Sequence, residues 1–250
     1  MYRKYFVRYI RILTVIGGIV TNKETGIKVL KCDFNIGGRN STIYPVLLID
    51  KEEIVLVDTG YPGQLDIIES EMKKHGLSIK QITKVIITHQ DIDHIGCAKE
   101  ISDMGAKIYA HEIETPYIQG DKTPVKLAKM EENASDLPAD RMGFYKMLKN
   151  AFPTLYVHVD EQVKDEQVLP FCGSIVVYHT PGHTPGHIAL LHKESNTLIA
   201  GDAANISDGK LVGSNPIHTD NAEQAAASFE KIKSLGADRI ICYHSGLMIL

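Results

Sequence analysis

The stretch of sequence that decides the fold is "THQDIDHIG", residues 88–96. Within six positions it places two histidines and two aspartates, namely His89, Asp91, Asp93 and His94. Imidazole and carboxylate are common ligands of metal ions in proteins, and so dense a set rarely has a purely structural purpose. The preceding residues, 84–88, have the length and the Val/Ile content of a buried strand. The stretch therefore predicts metal ligands at the end of a strand.

The composition is that of a soluble globular protein. The chain has 250 residues, of which 44% are hydrophobic and 23% charged, and its net charge is −4. A weakly acidic chain without blocks of like charge is not typical of a nucleic-acid binder. No segment reaches the roughly 20 apolar residues that cross a bilayer. We expect a cytoplasmic protein with a small-molecule substrate and no nucleic-acid or membrane partner, and homo-oligomer formation is left open.

Two further features bear on the compartment. The cysteines, at positions 32, 97, 172 and 242, are far apart and form no CxxC pair, so neither a disulfide framework nor a cysteine zinc site is predicted, and Cys97 and Cys242 are expected to be buried. Residues 12–20 are apolar and follow several basic residues, which loosely resembles a signal peptide. Two glycines interrupt this run and no Ala-x-Ala site follows it, so it is predicted to form a first strand or hairpin.

Short apolar segments alternate with helix-like segments in both halves of the chain. Strands are predicted at 46–49, 54–57, 84–88, 107–110, 174–179, 197–200 and 239–242, and helices at 64–75, 96–104 and 221–235. Such alternation indicates a layered α/β fold in which helices cover the sheets.

Residues 112–153 carry no strand pattern. They contain helical segments around 124–134 and 141–149. We interpret residues 1–250 as a single domain in which 112–153 is a mainly helical insertion. Because this insertion connects two ligand-bearing segments, we expect it to lie beside the active site.

Five predicted strands end in histidine or aspartate. The motifs after them are "DTG" with Asp58, "THQDIDHIG", "HTPGHTPGH" with His183, "AGDAAN" with Asp202, and "YHSG" with His244. Loops at one edge of a rigid sheet are where α/β proteins usually build a site. Four histidines and up to three aspartates are enough for two ions about 4 Å apart that share a bridging group.

These motifs, in this order, resemble those of the metallo-β-lactamase superfamily. The resemblance runs from "IVLVDTG" at 54–60 to "YHSG" at 243–246, which is most of the chain. It implies an αββα sandwich with a dinuclear metal site between two sheets. The ligands implied for the first ion are His89, Asp91 and His183, those for the second are Asp93, His94 and His244, and Asp202 bridges the two. Asp58 matches an aspartate that supports the ligands without binding metal.

Position 91 departs from the family pattern. The usual pattern is H-x-H-x-D-H, whereas this chain has H-x-D-x-D-H. We prefer the interpretation that Asp91 is a ligand in a carboxylate-rich site. At this position the related flavodiiron oxygen reductases have a glutamate that holds iron, and Asp91 resembles it. Two alternatives are that Asp91 turns away and leaves a mononuclear site, or that the site binds without catalysing.

The implied cofactor is a pair of divalent ions. Zinc is the first expectation, and Asp91 leaves manganese or iron open because carboxylates are harder ligands than imidazole. An Asp91 ligand would also cancel one unit of positive charge in the site.

The predicted function is hydrolysis of a small-molecule ester, lactone or thioester. A hydroxide held by the metal would attack the carbonyl carbon, and Asp93 or Asp202 would accept and pass on the proton. The alternatives are a non-catalytic or mononuclear sensor of the same fold and a redox di-iron relative. The glyoxalase II branch is disfavoured because its C-terminal helical domain has no counterpart after His244. The lactonase branch is also disfavoured because its tyrosine after the bridging aspartate is missing.

The other histidines lack ligand spacing. We expect surface or capping positions for His75, His111, His158, His192 and His218. His187 is expected to pack beside the ligands, whereas Tyr243 and Asn205 are equally compatible with packing and with a place facing substrate.

Overall fold

Two six-stranded sheets dominate the computed structural model, which describes residues 26–36 and 38–250. The strand or hairpin predicted at 12–20 lies outside the described residues. The strands are β1 Gly26–Val29, β2 Cys32–Ile36, β3 Arg39–Ile43, β4 Val46–Ile49, β5 Ile54–Val57, β6 Lys84–Ile87, β7 Lys107–His111, β8 Glu161–Val163, β9 Val168–Leu169, β10 Ile175–His179, β11 Ile188–His192, β12 Thr197–Ile199, β13 Ala204–Ser207, β14 Lys210–Gly213, β15 Arg239–Cys242 and β16 Gly246–Ile249.

The order of the strands brings the ligand-bearing ends together. The first sheet has the order β1-β4-β5-β6-β7-β8, and the second has the order β16-β15-β12-β11-β10-β9. Strands β5, β6, β7 and β8 run parallel to one another, as do β12 and β15 in the second sheet. The carboxyl ends of parallel strands lie at the same edge of a sheet, which is where the polar motifs follow them.

Alternate residues of the strands fill different cores. In β4, Val46 and Leu48 face the core shared by the two sheets, whereas Leu47 and Ile49 face the core on the outer side of the first sheet. All four residues are buried, as expected for strands that are covered on both faces.

Helices cover the outer face of each sheet. They are α1 Leu65–Lys73, α2 Ile92–Ile95, α3 Ala98–Asp103, α4 Thr115–Ile118, α5 Val125–Glu132, α6 Ala139–Leu155 and α7 Ala222–Ser234. Helix α1 buries Ile68 and Met72 in the core outside the first sheet, and α7 buries Ile232 against the second. The layers therefore have the order αββα, and the predicted fold is confirmed.

The predicted elements agree closely with the observed ones. The seven predicted strands correspond to β4, β5, β6, β7, β10, β12 and β15, each within one residue at either end. The helical segments expected within 112–153 are α5 and α6. The strands that were not predicted include the hairpin β13–β14, whose residues are mostly half-buried or exposed and have no continuous apolar run.

All four cysteines are free, as predicted, and all four are buried, as predicted for Cys97 and Cys242. In the described part of the chain, no helix combines the length and apolarity that crossing a bilayer requires.

Two histidines that were expected at surface or capping positions are buried. His111, at the end of β7, and His192, at the end of β11, are each 3% exposed. Both do act as caps, because His111 accepts a hydrogen bond from the Ile113 amide and His192 accepts one from the Ser195 amide. His111 also stacks on His179 at the end of β10, with ring centroids 4.4 Å apart, so this pair joins the two sheets near the site. Each of the two buried histidines ends a strand beside polar residues, and no local pattern in the sequence indicates such burial.

We predict that His111 makes the protein less stable as the pH falls below neutrality. Burial, together with the neighbouring His179, lowers the pKa of His111 from 6.5 to about 4. Between these two pH values the unfolded chain binds a proton that the folded ring does not, so the free energy of unfolding decreases as pH falls from 6.5 to about 4. This group adds a slope of up to about 1.4 kcal/mol per pH unit.

The variant H111N tests this, because its Oδ1 can still accept from Ile113. Urea unfolding at several pH values should give a shallower slope for H111N than for the wild type. An identical slope would contradict the assignment.

Gly96, which closes the metal-ligand stretch, packs against a neighbouring turn. Its backbone is helical, with φ −57°. A Cβ at this position would lie 2.3 Å from both the Gly60 carbonyl oxygen and the Tyr61 carbonyl carbon. Such distances are possible only if the backbone moves.

We therefore predict that G96A lowers the free energy of unfolding by about 2–3 kcal/mol through overpacking. The matched control is G143A in α6, where a Cβ would meet nothing within 4 Å. It should be neutral or stabilising by up to about 1 kcal/mol, because alanine favours a helix over glycine. Urea unfolding measures both, and equal effects of the two substitutions would refute the packing argument.

Candidate metal centre

The seven residues proposed as ligands lie at one edge of the sandwich. His89 and Asp91 follow β6, with Asp91 at the N-cap of the short helix α2, and Asp93 and His94 lie within α2. The others come from the second sheet: His183 follows β10, Asp202 follows β12, and His244 lies between β15 and β16. The two sheets thus supply the two halves of the cluster.

The side chains fall into three groups whose ligand atoms lie within 4.8 Å of one another. The groups are His89, Asp91 and His183; Asp93, His94 and His244; and His89, His94 and Asp202. The first two coincide with the ligand sets implied by the sequence motifs. Asp202 lies between them, with carboxylate oxygens 3.3 Å from His183 Nε2, 3.2 Å from His244 Nε2 and 3.6 Å from His94 Nε2.

The Asp91 carboxylate points into the cluster. Its Oδ2 lies 3.1 Å from His183 Nε2 and 3.3 Å from His89 Nε2. The arrangement is compatible with Asp91 as a ligand, and ligation itself stays a prediction.

Unpaired polar atoms show that these residues fit a metal ion. Among the side chains of residues 26–36 and 38–250, four buried polar atoms have no hydrogen-bond partner, and three of them are His89 Nε2, His94 Nε2 and Asp202 Oδ1. A buried polar atom without a partner is costly, so native proteins seldom leave one. These three belong to one of the groups above, and a cation among them would satisfy all three.

The other ring nitrogens are already engaged, which turns each Nε2 toward the cluster. Nδ1 of His94 lies 2.9 Å from Asp58, Nδ1 of His89 lies 3.0 Å from Thr88 Oγ1, and Nδ1 of His183 lies 2.9 Å from Ser214 Oγ. Partners of this kind commonly fix the orientation of metal-binding histidines.

Asp58 is itself held in a strained conformation. Its φ is 61°, in the left-handed region that non-glycine residues seldom occupy. The conformation lets its carboxylate accept hydrogen bonds from both the amide and the hydroxyl of Thr88, each at 2.8 Å, while it also contacts His94. Asp58 therefore orients His94 without being a member of the three groups.

The electrostatics of the cluster favour positive charge. Burial lowers the pKa of His94, but the carboxylates of Asp58, Asp93 and Asp202 outweigh burial and raise it to about 10. Burial raises the pKa of Asp202, and the imidazoles of His244, His94 and His183 more than reverse this, leaving it well below the usual value. Ion binding would replace the His94 proton with the charge of the ion.

His187 packs beside the ligands, as expected, and Tyr243, whose role the sequence left open, is also a packing residue. His187 is fully buried, its Nε2 accepts a hydrogen bond from the Asp202 amide at 3.0 Å, and its Nδ1 lies 2.8 Å from Thr180 Oγ1. Tyr243 is 3% exposed, stacks on His94, and donates a 2.6 Å hydrogen bond to the Asp93 carbonyl. His187 thus positions Asp202, and Tyr243 positions α2.

The structure reveals a buried carboxylate that the motifs did not indicate. Glu114, fully buried at the start of α4, accepts hydrogen bonds from the amide and side chain of Gln90 at 3.0 and 2.9 Å. It also accepts from Thr184 Oγ1 and the Gly186 amide, each at 2.7 Å. Glu114 therefore joins the two ligand loops, one from each sheet. Its partners are distant in sequence and no motif surrounds it, so sequence reasoning could not find it.

Lys126 is the second residue that the motifs did not indicate. It lies in the first turn of α5, and its Nζ contacts Asp91 Oδ2 and lies 3.0 Å from His183 Nε2. The helical segment 112–153 thus reaches the ligand cluster.

A pocket of about 660 Å³ opens onto the cluster. His183, Asp202 and His244 form its base. Its walls come mainly from the β13–β14 hairpin and the loop after it, and include Tyr61, Asn205, Val212, Gly213, Ser214, Asn215, Pro216 and His218. The volume is typical of small-molecule sites.

An αββα sandwich with a His/Asp cluster at the shared edge of its sheets defines a class of metal-dependent hydrolases. Residues 38–244 match the family model described as the metallo-beta-lactamase superfamily. The chain therefore belongs to the metallo-β-lactamase superfamily.

Individual relatives agree with this assignment. The chain is 28% identical over 210 residues to the probable metallo-hydrolase YflN of Bacillus subtilis, covering 78% of this chain and 76% of YflN. It is 29% identical over 145 residues to hydroxyacylglutathione hydrolase of Klebsiella pneumoniae, covering 49% of this chain and 53% of that one. A metallo-β-lactamase family protein of Thermus thermophilus has the same fold, with a TM-score of 0.70 and 20% identity over 90% of this chain and 75% of its own.

We predict that E114Q destabilises the protein by about 2–4 kcal/mol. Four groups donate to Glu114, so one orientation of a glutamine amide would set its NH₂ against both N–H donors of Gln90, and the other would set it against the Gly186 amide. The control is E112Q, at an exposed residue whose pair with Lys164 is on the surface. That substitution should change stability by less than about 0.5 kcal/mol. Urea unfolding compares them, and a neutral E114Q would show that Glu114 does not hold the loops.

Proposed function

We propose that the protein hydrolyses an ester, lactone or thioester bond of a small molecule, using a water that is activated by divalent metal. The observation that carries the proposal is the set of unpaired buried atoms, His89 Nε2, His94 Nε2 and Asp202 Oδ1, directed at one point beside an open pocket. Ions held there would polarise the scissile carbonyl group and increase the acidity of the attacking water.

Asp202 is the best-placed group to handle the proton. It belongs both to the ligand cluster and to the base of the pocket, so its carboxylate can reach a water that attacks from the pocket. Its low pKa keeps it ionised and able to accept a hydrogen bond from that water. Asp93 is the second candidate, since its carboxylate contacts His94 and His244.

The pocket supports a small polar substrate. Asn205, Ser214 and Asn215 supply donors and acceptors to its wall, and Val212 and Pro216 supply apolar surface.

The net charge of −4 supports a partner other than nucleic acid. The Klebsiella relative is named for hydroxyacylglutathione, which supports hydrolysis of an acyl group. We further propose zinc as the ion, a cytoplasmic location, and a single domain in which 112–153 is an insertion.

The variant D202N should lower turnover by about 10²- to 10⁴-fold, the usual contribution of a general base, without preventing folding. The control is D208N, an exposed residue in the β13–β14 turn whose φ of 51° asparagine also tolerates. The substrates to test are p-nitrophenyl acetate, γ-butyrolactone and an S-acetyl thioester. Each protein is assayed as purified, after chelator treatment, and after addition of zinc.

D208N should match the wild type, and chelation should remove the activity until zinc is restored. Full activity in the chelated protein, or in D202N, would contradict the proposal.

A further inference from the structure

Lys126 brings a positive charge to two of the three ligands of the first metal position. Its Nζ contacts Asp91 Oδ2 and is 3.0 Å from His183 Nε2, and these are two of the three residues that form the first ligand group. Nδ1 of His183 faces Ser214 Oγ, so its Nε2 can accept from the ammonium. The ammonium therefore uses the same carboxylate oxygen and the same imidazole lone pair that an ion in this position would need.

The position of Lys126 is fixed by hydrogen bonds in the neighbouring backbone. The amide of Val125 donates to Gln90 Oε1 at 2.7 Å, and the Gln90 side chain donates to Glu114 at 2.9 Å. Gln90 stands between His89 and Asp91 in the ligand loop. The start of α5 is thus bound to the loop that carries the first ligand group, and the Lys126 side chain is only 28% exposed.

Local preferences of the helix do not account for this lysine. It occupies the first turn of α5, where the positive end of the helix dipole disfavours a cation. The Asp91 carboxylate compensates for this. A histidine at position 91, as in the usual family pattern, would offer Lys126 no negative charge. The unusual aspartate and the lysine therefore form one neutral pair.

On the basis of the proposed metal-dependent function, we propose that the Lys126 ammonium is the resident cation of the first position, so that the protein holds one metal ion tightly. The tight ion is bound by Asp93, His94 and His244, with Asp202 beside them. A second ion binds at His89, Asp91 and His183 only when it displaces Lys126, and so it binds weakly.

The variant K126M tests this, because methionine keeps much of the side-chain volume and removes the charge. The control is K129M. Lys129 is an exposed lysine of the same helix, and it pairs with Asp220. Each protein is freed of metal, titrated with zinc in a calorimeter, and analysed for zinc by mass spectrometry after dialysis. Wild type and K129M should keep one zinc per chain, whereas K126M should keep two, its second ion bound at least about tenfold more tightly than in the wild type.

A second variant locates the tight ion even if K126M folds poorly. D91N should retain one zinc per chain, because the tight site does not include Asp91. Two zinc ions retained by the wild type, a K126M that binds no more zinc than K129M, or loss of the tight ion in D91N would each overturn the proposal. In those cases the hydrolytic function would stand, whereas the failure of every protein to bind zinc would overturn both.

Discussion

The constraint on which the structure depends is the presence of four carboxylates, two buried and two partly buried, in a small volume at the edge shared by the two sheets. Asp58, Asp91, Asp93 and Asp202 all lie there, and such charges are stable in a protein interior only when they are paired. Part of the compensation is a proton held by His94, and part is the ammonium of Lys126. Both sheets, and a helix from outside them, must therefore meet at this edge.

Buried side chains that lie behind the ligands hold the ligands in fixed orientations. Asp58 fixes His94, His187 fixes the backbone of Asp202, and Glu114 joins the two loops that supply ligands from opposite sheets. Each of these side chains is fully buried or nearly so, and each uses its hydrogen bonds to hold another residue. Sites whose ligands are locked in this way hold their geometry better than sites on free loops.

The layered α/β class could be read from periodic patterns in the sequence, whereas the αββα order was implied by the resemblance of the motifs to a known superfamily. Buried strands with both faces covered are continuous apolar runs, and the ligands follow them at fixed spacing, as at Val57–Asp58 and Ile87–His89. Asp91 was recognised as the unusual residue, yet its partner Lys126 was not, because the two are 35 positions apart and no motif links them. Glu114 was not found for the same reason, since its partners are distant in sequence. Contacts that close the site are formed between segments whose relative placement only the folded chain determines.

The contact between Asp91 and Lys126 also limits how these positions can change in related chains. A histidine at 91 would leave the lysine without its carboxylate, and a neutral residue at 126 would leave Asp91 without its cation. Each single change leaves an unpaired charge in this partly buried site, whereas the double change does not. The two positions should therefore covary across homologues, with the lysine at the start of this helix inherited together with the H-x-D-x-D-H pattern.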